Sequence, residues 1–143
     1  MTATMPVTRR VLVAGVAVAA ILVAGVLFWF LRPTPAGPVV LHAGTPHHAV
    51  TATVGSAKTG TTAIDVGLTD RAGGPALPVT VEIEAVMPLM GHATPPVAAA
   101  PTGGGHYRAD AVPLLMAGPW ELRLSISTPG GVETLTLPIS VGN

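Results

Sequence analysis

The chain reads as all-β: an immunoglobulin-like antiparallel β-sandwich preceded by one N-terminal transmembrane helix. Three observations carry that reading. A single run, Val11 to Leu31, is apolar and free of charge. Beyond it, apolar and polar residues alternate with a period of two in several short segments, the pattern of strands that bury one face. Gly and Pro clusters separate those segments, and no helical period occurs outside the apolar run.

Residues 1–10 form a short tail that ends in Arg9 and Arg10. The run at 11–31 matches the roughly 20 residues that a helix needs to cross a hydrocarbon core. A cleaved signal peptide is the rival, but its apolar region normally covers only about 7 to 15 residues, so the length favours an uncleaved anchor. Two arginines precede the span and Arg32 follows it, which leaves the N-terminus in the cytoplasm and the rest outside a cell membrane crossed once. Phe28, Trp29 and Phe30 stand at its outer end, where aromatic rings favour the interface.

Residues 32–47 contain Pro33, Pro35, Gly37, Pro38, Gly44 and Pro46 and read as an extended linker. Residues 48–143 are enough for one small domain. Val79, Val81, Ile83 and Ala85 alternate with polar neighbours, as do Trp120, Leu122, Leu124 and Ile126, and then Leu135, Leu137, Ile139 and Val141. Pro138 on the polar side of the last segment predicts an edge strand, because proline cannot donate to a ladder. Weaker strands cover Val50 to Val54, Thr61 to Thr69 and His106 to Ala111. Turns are expected at 70–75, 103–105, 117–119 and 128–131. The Ala/Pro/Gly-rich stretch from Ala93 to Gly104 reads as a long connection, and loops of that length tend to be functional or disordered.

Seven basic and seven acidic side chains balance, with no basic run beyond the arginine pair, so nucleic acid is not an expected partner. The chain has no cysteine. No disulfide supports the domain, and capture of a soft metal by thiolate is excluded.

Every methionine after the apolar run lies in one stretch, as Met87, Met90 and Met116, together with His92. A thioether is an uncharged, polarizable ligand suited to Cu(I), and imidazole suits several transition metals, so the mixed set points first to copper. Met87 continues the inward parity of its strand and is equally explained as core. Met90 and His92 follow Pro88 and flank Gly91, which places them on a loop where packing explains them poorly. Met116 precedes a Gly-Pro turn, where packing under the sandwich is the competing account. His106 and the linker histidines His42, His47 and His48 read as surface residues. Asp65, Glu82, Glu84 and Asp110 read as outward, solubilising charges. No enzyme is expected: Ser56, Ser125, Ser127 and Ser140 lack a nucleophile elbow, there is no HExxH, and Gly103 to Gly105 do not open a helix.

The sequence MPLMGH, a Pro-rich loop and then GGGHYRADAVPLLMAGPWELRLSIS, about Val79 to Ser127, resembles the YtkA-like domain, a small exported family related to FixH-like proteins. The resemblance implies a membrane-tethered module that holds copper or delivers it to a membrane copper-handling or oxidase-assembly protein. It nominates Met87, Met90, His92 and Met116 as ligands, and assigns Gly105, Tyr107, Gly118 and Trp120 to the fold. The alternative is a structural or interaction domain of a membrane complex, in which the methionines only pack.

Overall fold

The computed structural model describes residues 20–28, 37–76 and 79–143. Residues 20–28 are helical and exposed throughout. Most of the expected span at 11–31, together with the tail at 1–10 and linker residues 32–36, lies outside the described residues. Among those that are described, no helix is long and apolar enough to cross a membrane.

The chain from Ala36 onward forms a separate compact unit, built of antiparallel strands. In chain order they are β1 (Val39–Gly44), β2 (His48–Val54), β3 (Gly60–Asp70), β4 (Thr80–Met87), β5 (His92–Ala93), β6 (Val97–Gly103), β7 (His106–Leu114), β8 (Gly118–Thr128) and β9 (Gly131–Val141). Neighbours follow the order β1-β2-β3-β7-β6-β4-β8-β9, with β5 beside the end of β4. One strand joins the two halves of this path. Val97 to Ala99 of β6 pair with β4, and Ala100 to Gly103 pair with β7. β1 and β9 end the path, so the expected edge position of Pro138 holds, and the sheet curls until the two nearly meet.

The alternation seen in the sequence produces the core. Inward residues of β2, β3, β4, β7, β8 and β9 meet in one cluster, with Trp120, Ile64, Leu68, Ile83 and Leu122 among its largest fully buried members. The alternation slips once in β7, where Tyr107 and Ala109 are buried, then Val112 and Leu114, while Asp110 and Ala111 are both exposed. A bulge causes the slip. The β3 register jumps from Thr62 opposite Val112 to Ile64 opposite Ala109, so two β7 residues face one β3 residue and the inward parity resets.

Two segments differ from the sequence expectation. Residues 39–44, read as linker, form β1, because Val39, Leu41 and Ala43 alternate as half-buried residues against β2 despite the flanking prolines. The stretch 93–104, read as one long connection, holds β6, and β5 begins at His92. Alanine and proline give it little strand propensity, and Pro101 sits beside a register irregularity where its missing donor is tolerated.

Candidate functional site

The turn after β4 begins where Pro88 stops the ladder. Pro88–Met90 make one short 3-10 turn, and Gly91 closes it at φ 61°, a left-handed conformation that glycine adopts without strain, with its N–H donating to the Pro88 carbonyl at 3.2 Å. The chain then returns as β5, and His92 comes to stand opposite Met87. Thr94 fixes that return. Its hydroxyl accepts from the Ala85 N–H at 3.1 Å and donates to the Ala85 carbonyl at 3.2 Å, and its own N–H donates to the same carbonyl at 2.9 Å. A buried hydroxyl thus supplies the acceptor for the Ala85 N–H on this edge of β4.

On the other side of Met87 lies β8. Its register with β4 pairs Val86 with Glu121, and one further step sets Trp120 across from Met87. His92, Met87 and Trp120 therefore form one row across three strands. The His92 ring meets Trp120 edge-on, at 6.4 Å between centroids and 84° between planes. Gly118 leaves room for the row: its φ of 136° is outside the usual range of other residues, and a Cβ there would lie 3.4 Å from the Met87 methyl. The Trp120 Nε1–H donates to the Met116 carbonyl at 2.9 Å, which closes the turn that carries Met116.

The four residues singled out in the sequence thus gather at one end of the β-unit, around Trp120, but in different environments. Met87 is 3% exposed and packs in the core, whereas Met90 and Met116 are 66% and 41% exposed and His92 is open to solvent. Beside them a groove of about 330 Å³ is lined by Pro88, Leu89, Pro119, Trp120, Glu121 and Pro138. Among the described residues, no three of His, Asp or Glu are placed to hold a metal, so a metal at this end would draw on thioether sulfur.

His106 is elsewhere. It starts β7 at the opposite end of the β-unit, its ring lying over the bare face of Gly67. His42 is exposed, its Nδ1 3.2 Å from the Thr51 hydroxyl. The carboxylates expected on outward faces are there: Arg108 bridges Asp65 and Asp110, each at 2.7 Å, and Arg123 lies 3.9 Å from Glu84.

Sequence reasoning missed one cluster. At the end opposite the methionines, the β1–β2 turn meets β9: the Thr45 hydroxyl donates to Glu133 Oε2 at 2.7 Å, His48 Nδ1 to the same oxygen at 2.7 Å and His47 Nδ1 to Oε1 at 2.6 Å. With the Thr45 hydroxyl as the leading cause and His48 next, the Glu133 carboxyl is lowered to about 2. An ionised carboxylate only accepts, so both imidazoles present Nδ1–H to it. The His-His pair at 47–48 was the available signal. Its partner is 85 residues or more away in sequence, and that pairing follows only from the curl of the sheet.

Comparison with protein-family models, with curated proteins and with solved structures finds no match to this chain.

Proposed function

We propose that this protein is a membrane-anchored, extracytoplasmic module that binds copper, as Cu(I), and holds it for or passes it to a membrane partner. The observation that carries the reading is the convergence on Trp120: two turns and two strands, distant in sequence, bring an exposed thioether, an exposed imidazole and a second exposed thioether to one end. Met90, His92 and Met116 would hold the ion, with Met87 beneath them. A bound Cu(I) would supply a soft, exchangeable cation. The chain contributes neutral ligands that neither reduce nor oxidise it, and Trp120 and Thr94 fix the backbone on which those ligands sit.

The strand order agrees with an immunoglobulin-like sandwich: β2, β3 and β7 form one layer, β4, β8 and β9 the other, and β6 passes between them. Its connections alternate between the two ends, as in that class. This supports membership of the YtkA-like family, whose pattern the segment 79–127 resembles. The described helix at 20–28 is aliphatic and aromatic, with its side chains exposed, which suits a lipid-facing anchor.

The burial of Met87 favours a second reading, a structural or interaction domain whose methionines only pack. A competition titration of the detergent-solubilised full chain with Cu(I) separates the two. Uptake of about one Cu(I), lost in a Met90→Ala/His92→Ala variant, is expected for the copper module. No uptake leaves the structural reading, and uptake unchanged in that variant overturns the assignment of the site to Met90 and His92.

A further inference from the structure

The ladder registers fix which features share an end of the β-unit. Val39 pairs with Val54, Gly60 with Leu114, Gly118 with Val141 and Met87 with His92. The turns at 55–59, 88–91 and 115–117 therefore lie at the end where the chain arrives from its N-terminal part and begins β1. Among the described residues of this unit, the exposed large apolar side chains are Val40, Leu89, Met90, Leu115, Met116 and Val132. All but Val132 are at that end. Leu89 is 80% and Leu115 57% exposed, on two separate turns, where neither contributes to the core. Charge is sparse around them: Lys58 is exposed in the 55–59 turn, and Glu121 lies 3.7 Å from Arg123.

We propose that this end of the β-unit rests on the lipid surface, with Leu89 and Leu115 inserted at the headgroup boundary. The proposal rests on the reading of residues 11–31 as a membrane anchor. The seven residues 32–38 include three prolines, and at about 3.1 Å per residue for such a linker they reach roughly 22 Å. An 11-residue strand such as β3, β8 or β9 is longer, about 36 Å. On the anchor reading, a linker shorter than these strands favours the end where β1 begins, rather than the Glu133 end, as the one that reaches the bilayer. Exposed leucines on turns, with a lysine beside them, then have a partner: acyl chains for the leucines and headgroup phosphates for Lys58. The consequence for the metal reading is direct. Met90 and His92 open toward the membrane plane, so an ion held there exchanges with a membrane-embedded partner rather than with one diffusing outside.

The absence of native cysteine allows a clean test. Full chains carrying Leu89→Cys, Leu115→Cys or Val132→Cys, each labelled with an environment-sensitive fluorophore, are reconstituted in vesicles of phosphatidylcholine and phosphatidylglycerol at three to one, with spin-labelled lipid as quencher. All three positions are exposed, so the substitutions leave the core intact. Severalfold stronger quenching at 89 and 115 than at 132 is expected. Equal quenching at all three positions overturns the proposal while the chain still floats with the vesicles after an alkaline wash. Loss of flotation overturns the anchor reading and the proposal with it. Protection of 89 and 115 that grows with protein density but ignores the lipid quencher assigns the surface to a second copy of the chain and also overturns it.

Discussion

Trp120 links the core to the candidate site through three contacts: its ring is 1% exposed among the inward side chains, its edge meets His92, and its N–H satisfies the Met116 carbonyl. Truncation removes all three. Trp120→Ala is expected to cost about 3 to 5 kcal/mol, a large share of the stability of a small domain, and denaturant unfolding followed by circular dichroism measures it. A midpoint shift near zero would reject the core assignment. Gly105 offers a sharper case, since at φ 80° a Cβ would come to 2.5 Å from the carbonyl oxygen of Leu68, whose backbone N–H donates to the Gly105 carbonyl at 2.8 Å. Gly105→Ala should therefore lower the unfolding midpoint, although it adds a single methyl group at a surface turn. The same scale explains why the site was only half legible. Thioether and imidazole identity is written in the sequence, but which methionine is buried depends on strand parity and on the room that Gly118 leaves.

Among the strands, legibility followed the chemistry of the alternation. β4, β8 and β9 alternate apolar with polar residues over most of their length and were recognisable, and β2, β3 and β7 were recognisable more faintly. β1 and β6 were not, because prolines bracket one and alanines fill the other, and both owe their form to neighbours that supply ladder partners. What closes the sheet was also invisible. β1 and β9 end the path, and Glu133 joins them through side chains, by way of Thr45, His47 and His48. The carboxyl of Glu133 is held at about 2, below its ordinary 4.5, so the clasp stabilises the fold fully above about pH 4.5. That contribution disappears as the pH falls from 4.5 toward 2, because the folded state resists a proton that the unfolded chain accepts. Glu133→Gln should therefore be less stable than the native chain near neutral pH, and the gap between their unfolding midpoints should close across that acid window. A gap that is constant from pH 6 to pH 2 would show that the carboxylate charge does not matter to the clasp.

Taken as a whole, the chain joins an apolar N-terminal run to a β-unit whose core rests on packing, since the buried cluster is dominated by aliphatic side chains drawn from nearly every strand. Metal removal is therefore not expected to unfold it, and the chain stripped with a chelator should keep its strand signal in the far ultraviolet. The proposed placement of that unit outside the membrane rests on the two arginines before the run, the one after it, and a length that suits retention better than cleavage. Protease added to intact cells with a permeable wall should then digest the β-unit and spare the short tail at 1–10. A mature soluble form that begins between Pro35 and Pro38 would show instead that residues 11–31 are a long signal peptide. The two results divide the functional reading cleanly. The thioether and imidazole ligands need only export, so copper capture would survive cleavage, whereas the lipid-facing orientation of Leu89 and Leu115 depends on the anchor. A released chain would carry its ion by diffusion, and the exposed leucines would then have to be covered by its receiving partner.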